Sequence, residues 1–271
     1  MSMPSPTAHG AFRAADAAGE LIYAIGDIHG RYDLLIPLLA TVFADAQKAL
    51  RERPPQVIFL GDYVDRGPDS AKVIEALVRL EARSGYRPTF LKGNHEQAML
   101  DFIEDADAGR DWIRFGGAPT LAAYGVAPPK ANDKRAAFER ARRALLVHLP
   151  PAHLDFLRRL EVMAQVGDYA FVHAGIRPGR ALAVQTDDDL LWIRDAFIGH
   201  PGPHEKVIVH GHTWIDDQPR ILQQRIGVDT GAYETGVLTA LRIEDGDIRF
   251  LQARGAPSAP SEERALALQS Q

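Results

Sequence analysis

Cysteine is absent from the 271-residue chain. That excludes disulfides, thiolate metal sites and cysteine nucleophiles, so any metal site must be built from His, Asn and carboxylates. Mixed nitrogen and oxygen donors of that kind suit manganese, iron or zinc. Also missing is any apolar run near the about 18 residues that a membrane span requires. Positive charge is not in excess either. Lys and Arg number 31 against 36 Asp and Glu, for a net charge of -5, and no general basic patch argues for nucleic acid. Residues 1–19, rich in Ala, Ser and Pro, lack the basic cluster and apolar core of a secretory signal. They are expected to form a flexible tail on a cytoplasmic protein with neither membrane nor nucleic-acid partner.

What is present is a series of short apolar runs, each closed by glycine and polar residues. Leu21 to Gly26 reads as a buried strand ending in Asp27-Ile28-His29-Gly30. Leu34, Leu35, Leu38, Leu39, Val42 and Phe43 then follow at helical spacing. Gln56 to Leu60 is a second strand, closed by Gly61-Asp62-Tyr63-Val64-Asp65-Arg66-Gly67, with a helix over Asp69–Ala82. Pro88 to Leu91 is a third, closed by Gly93-Asn94-His95-Glu96, with a helix over Gln97–Glu104. Three strand–motif–helix units in succession predict a parallel sheet in an α/β fold, with the polar loops along one edge.

Residues 107–160 break the rhythm and read as a mostly helical insert over that edge, with Arg135, Arg140, Arg142 and Arg143 on a solvated helix face. From Asp168 the chain turns β-rich. Tyr169–Val172 leads into His173-Ala174-Gly175, Lys206–Val209 into His210-Gly211-His212-Thr213, and Arg225–Val228 into Asp229-Thr230-Gly231-Ala232-Tyr233. Val237–Ile243 and Asp247–Gln252 form a hairpin turning at Asp245-Gly246. The domain is expected to span 20–253, with a second flexible tail over 254–271. Asp187-Asp188-Asp189 reads as a solvated loop or helix cap, His210 as structural, and His9, His148, His153, His200 and His204 carry no assignment.

Asp27, His29, Asp62, Asn94, His173 and His212 are metal-competent residues delivered by five strand ends, the position at which open α/β sheets bind ligands. Together with Asp65, Arg66, His95 and Glu96, these motifs resemble those of the calcineurin-like metallophosphoesterases, and within them the phosphoprotein phosphatase superfamily. They are most like bacterial and phage serine/threonine phosphatases, with the symmetrical diadenosine tetraphosphatases as near relatives.

The resemblance implies a four-layer α/β/β/α fold, a β-sandwich flanked by helices. It implies two divalent metal ions, manganese first and iron or zinc as alternatives. Asp27, His29 and Asp62 would hold one, and Asp62, Asn94, His173 and His212 the other, with Asp62 bridging. A hydroxide shared by the metals would attack a phosphomonoester of serine or threonine, with tyrosine as a further substrate, in a protein or peptide, releasing phosphate. His95 would be the general acid, oriented by Asp65. Arg66 and Arg194 would bind the phosphate, with Tyr233 beside it. Hydrolysis of a dinucleoside polyphosphate is the alternative, and a non-catalytic metal-binding scaffold a third. The tetraphosphatases usually carry alanine in place of Asp65 and aspartate in place of Glu96, and both differences favour the phosphatase.

Overall fold

The computed structural model describes residues 15–49, 53–83, 85–222 and 224–257. In chain order the first half runs β1 (Ile22–Ile25), α1 (Tyr32–Lys48), β2 (Gln56–Phe59), α2 (Ser70–Glu81), β3 (Arg87–Phe90) and α3 (Asn94–Glu104). The insert follows with α4 (Gly109–Trp112), α5 (Ala118–Ala123), α6 (Arg135–His148) and α7 (Pro151–Arg158). The second half contains β4 (Met163–Val166), β5 (Tyr169–Val172), α8 (Asp187–Trp192), α9 (Asp195–Ile198), β6 (Val207–His210), β7 (Arg220–Leu222), β8 (Arg225–Gly227), α10 (Ala232–Thr235), β9 (Val237–Glu244) and β10 (Asp247–Arg254).

Among the described residues the strands form two five-stranded sheets, ordered β10-β9-β1-β2-β3 and β4-β5-β6-β8-β7. The predicted parallel unit β1-β2-β3 is present, in register Ile22 with Gln56 and Gln56 with Arg87. The β9–β10 hairpin extends it antiparallel, pairing Ile25 with Ala240. Period-two alternation decides the layers. Ile22 and Ala24 meet Tyr169, Phe171, Val209 and Ile226 of the other sheet in one core between the sheets. Tyr23 and Ile25 face the opposite way, into a core shared with Leu34, Leu38, Val73, Leu77 and the insert. On the far side, Ala170, Val172 and Ile208 are covered by Leu182, Leu190 and Phe197. The result is the helix–sheet–sheet–helix sandwich that the motifs implied.

Some details differ from the sequence reading. β4 and β7 were not foreseen. Each is short, sits at a sheet edge and has no fully buried residue, so it lacks a buried apolar run. The tail expected through Gly19 is already packed at Ala15 and Ala17, which join the inter-sheet core, and the Asp16 N–H donates to Asp168 Oδ2 at 3.0 Å. At the other end Arg254 belongs to β10, and the Arg31 guanidinium donates to the Ala256 carbonyl at 2.9 Å. Residues 1–14 and 258–271 of the two expected tails lie outside the described residues. In α8, Asp189 is buried rather than solvated, and Arg177 and Arg180 neutralise it.

Candidate active site

The two sheets are tied together where their polar strand ends meet. Within the first sheet, the N–H groups of Ile28 and His29, beyond β1, donate to the Asp62 carbonyl beyond β2 at 3.0 and 2.8 Å. The His212 N–H, beyond β6, donates to both carboxylate oxygens of Asp27, at 3.2 and 3.0 Å. His173, at the end of β5, reaches across to the Leu60 carbonyl at 2.8 Å through Nδ1. Seven described non-glycine residues have a positive φ, and five of them are here: His29, Asp62, Asp65, Arg66 and His212. Such backbone costs about 1–3 kcal/mol per residue and persists only where the surroundings impose it. Local propensity is therefore overridden at this edge in order to aim side chains.

Glu96 imposes much of that geometry. At the third position of α3 its carboxylate accepts the N–H of Asp62 (2.8 Å), Tyr63 (2.8 Å), Val64 (3.2 Å) and Gly93 (2.9 Å). Burial and the charge of Asp62 push this carboxyl up, and the four N–H dipoles oppose that and favour the ionised form. Position 93 has no room for a side chain, since a Cβ would lie 2.1 Å from Asp62 Oδ1.

Two groups of side chains could each hold a cation. In one, Asp62, His173 and His212 present ligand atoms within 4.8 Å of one another. Asn94 joins them, its Oδ1 2.9 Å from His173 Nε2. In the other the grouping is His29, Asp62 and His95. Asp62 lies between the two, with Oδ2 3.4 Å from His29 Nε2 and Oδ1 3.5 Å from His173 Nε2. Asp27 was expected to complete the His29 group. It is buried at the same edge, its carboxylate on the His212 N–H and hydrogen-bonded to Asp229.

The donor set fits cations. His29 and His173 spend their Nδ1–H on the carbonyls of Val64 (2.9 Å) and Leu60 (2.8 Å), which leaves the Nε2 lone pairs aimed at Asp62. Burial lowers the pKa of His29, His173 and His212, favouring the neutral ring that can bind a metal. Burial, with Asp229 and Asp62 nearby, raises that of Asp27. Lone pairs and carboxylates packed this tightly repel one another, and a divalent cation between them removes the repulsion. Carboxylate, amide and imidazole donors suit manganese, iron or zinc alike.

Beside this cluster His95 Nδ1 donates to Asp65 Oδ2 at 2.7 Å, with both side chains buried. Asp65 is itself held by residues of the insert. The Trp112 indole N–H donates to Oδ2 at 2.9 Å and the Thr120 hydroxyl to Oδ1 at 2.6 Å. The Asp65 N–H donates to Thr120 Oγ1 (2.8 Å) and Ser70 Oγ (3.1 Å). Arg66 follows, its N–H on the Gly116 carbonyl at 3.0 Å, its Nη2 3.1 Å from His95 Nε2, and its guanidinium 4.5 Å above the Tyr233 ring. Tyr233 in turn meets the edge of His29 at 5.2 Å. Arg194 is exposed and forms no ion pair among the described residues, yet its charge acts on both His173 and His212.

All the residues singled out from sequence therefore gather at one edge. Trp112, Thr120 and Ser70 had no sequence signal pointing to them. Asp229 ended a recognised strand motif and could have been added on that ground. His210, read as structural, packs its ring edge-on against Phe197 at 5.1 Å.

Comparison with known proteins gives this edge a family. The model for calcineurin-like phosphoesterases matches residues 21–232. Serine/threonine-protein phosphatase 2 of Salmonella typhimurium is 29% identical over 245 residues, covering 86% of this chain and 98% of its own. An asymmetrical bis(5'-nucleosyl)-tetraphosphatase PrpE from a Geobacillus species is 29% identical over 233 residues, covering 82% and 89%. A solved structure proposed to be a diadenosine tetraphosphatase superposes with a TM-score of 0.57 at 19% identity, covering 88% of this chain and 96% of that one. With the family match running across most of the domain and onto this cluster of buried His, Asp and Asn side chains, the chain belongs to the calcineurin-like phosphoesterase family.

Proposed function

We propose that the protein is a dinuclear metal-dependent phosphomonoesterase acting on phosphoserine and phosphothreonine in proteins or peptides. Asp27, His29 and Asp62 would hold one divalent cation, and Asp62, Asn94, His173 and His212 the other. When bound, such a pair supplies charge neutralisation for the phosphate and a water of lowered pKa. The chain's own residues do the rest. Arg66 and Arg194 bind phosphate oxygens, a task suited to the paired donors of guanidinium. Tyr233 supports the Arg66 guanidinium from below. Water adds to phosphorus, the P–O bond to the side-chain oxygen breaks, and His95 Nε2 gives its proton to that oxygen.

The observation that carries this reading is the His95–Asp65 pair at 2.7 Å. A serine or threonine oxygen leaves poorly as an alkoxide, so a positioned acid is needed. Burial disfavours the imidazolium, but Asp62 and Asp65 outweigh it and raise the His95 pKa above its ordinary value. In the structure Arg66 donates to His95 Nε2. A phosphate dianion drawing Arg66 onto itself would free that nitrogen to carry its proton.

Hydrolysis of a dinucleoside tetraphosphate is the second reading, favoured by the PrpE relative at the same 29% identity. There the leaving group is a phosphate, which departs without an acid. The deciding experiment compares phosphate release from a phosphoserine peptide, p-nitrophenyl phosphate and diadenosine tetraphosphate with manganese added. Turnover chiefly on the peptide is expected. Predominant conversion of the dinucleotide, whether to two ADP or to ATP and AMP, would replace the substrate class.

A further inference from the structure

A cavity of about 600 Å³ lies at the β7 edge of the second sheet, lined from both of its faces and outside the phosphate site. Its walls include Ile198, Ile215, Ile221 and Phe250, with His210, Thr213 and Arg225 among them. That volume falls in the range of small-molecule sites, which combine apolar walls with a few convergent polar groups.

The polar groups are left open. His210 is 1% exposed, and its Nε2 has no hydrogen-bond partner among the described residues. Its Nδ1 faces the Gly211 carbonyl at 3.0 Å and therefore carries the hydrogen, which leaves Nε2 as an acceptor. The Thr213 hydroxyl is a second buried atom without a partner. Arg225 donates to the Ile198 carbonyl at 2.8 Å, and no ion pair is formed by it among the described residues. Strand register puts these groups together. Ile208 pairs with Arg225 and His210 with Gly227, so His210 and Arg225 share one face, and the missing side chain at 227 leaves space beside the imidazole. Unmet acceptors and an unpaired guanidinium facing a cavity are costly unless something fills their valences.

We propose that this cavity binds a small amphipathic anion on the face that His210 and Arg225 share: a carboxylate on Arg225, an apolar body against Ile198 and Ile215, and a hydroxyl or amine donor to His210 Nε2. Gly211 and His212 connect the cavity wall directly to the candidate metal site, and Asp229, which also lines the cavity, is hydrogen-bonded to Asp27. The site is therefore placed to modulate activity without contacting the phosphate.

4-Hydroxyphenylacetate carries all three features and serves as the probe on the full chain, with binding read by calorimetry and by saturation-transfer NMR. It should bind more tightly than phenylacetate, which lacks the donor. It should also bind more tightly than tyramine, which lacks the anion, and inorganic phosphate should not displace it. Arg225→Gln should weaken binding at least tenfold. Ile215 is 65% exposed, so Ile215→Glu is safe for folding, and its charge at the mouth should weaken binding several-fold. Equal uptake of the three probes, displacement by phosphate, unchanged affinity in both variants, or no saturation transfer at millimolar probe would each overturn the proposal.

Discussion

Thr120, from the helical insert, donates its hydroxyl to Asp65 Oδ1 at 2.6 Å and receives the Asp65 N–H at 2.8 Å. One residue thus grips both ends of the group that orients His95. On the proposed mechanism the insert would contribute to the chemistry as well as to the shape of the cleft. Replacing Thr120 with Val keeps the volume but removes both bonds. Turnover on a phosphoserine peptide should fall roughly tenfold or more, a part of the about 10²–10⁴ that general acid catalysis contributes. p-Nitrophenyl phosphate, whose leaving group needs no proton, should be nearly unaffected, and Thr120→Ser should recover the peptide activity. Parallel losses on both substrates would mark Thr120 as merely structural.

His95→Asn should retain both metals and lose most turnover on alkyl phosphates, on the order of 10²-fold or more. Asn94→Ala and His173→Ala should instead bind less metal. Metal analysis of the purified variants separates the two outcomes. A fall in metal content in His95→Asn would make His95 a ligand, as its place beside His29 and Asp62 permits.

Removing metal should lower thermal stability as well as activity. Close-set carboxylates and imidazoles repel one another without cations, and binding to the folded state alone adds RT ln(1 + [L]/Kd) to stability. Dialysis against a chelator should abolish phosphate release and reduce Tm. Adding manganese back should restore both. An unchanged Tm would show that no cation contributes to the fold.

Glu96→Gln should be costly for folding. The carboxylate accepts four backbone N–H groups, and an amide can direct only one oxygen at them. A loss of about 2–4 kcal/mol is expected from leaving buried donors unpaired, measured by urea unfolding. A loss below about 0.5 kcal/mol would show that the loop from Gly61 to Val64 holds its shape without this anchor.

His210 should make the fold acid-sensitive. Burial pushes its pKa down to about 4 from the ordinary 6.5. Below pH 6.5 the unfolded chain takes up a proton that the folded chain refuses until pH 4. Stability is therefore complete above pH 6.5 and is lost as pH falls toward 4, by about 3 kcal/mol at most. His210→Gln should flatten that part of the stability–pH curve relative to the unchanged chain. Coincident slopes from pH 7 to 4.5 would show that His210 is protonated in the fold without cost.

Much of the site could be read from the chain because each strand is short, apolar and closed by a glycine-bounded polar turn. Asp27, His29, Asp62, Asn94, His173 and His212 all announce themselves by that local rule. β4 and β7 escaped it because edge strands bury little and need no apolar alternation. Trp112 and Thr120 escaped because they sit 47 and 55 residues from Asp65, inside helices whose patterns describe only helices. What holds the Asp27 carboxylate was not legible, since it accepts the His212 N–H from 185 residues away.

Strand ends, motif residues and the α/β class were determined by the chain alone, since backbone propensity and apolar periodicity act over a few neighbouring residues. Which polar ends meet, which oxygen of Asp62 faces which imidazole, and that an insert should hold Asp65 were decided only in three dimensions. Those contacts exist because burying Ile22, Ala24, Phe171 and Val209 against one another brings two distant sheets together. Nothing local to either sheet encodes that meeting.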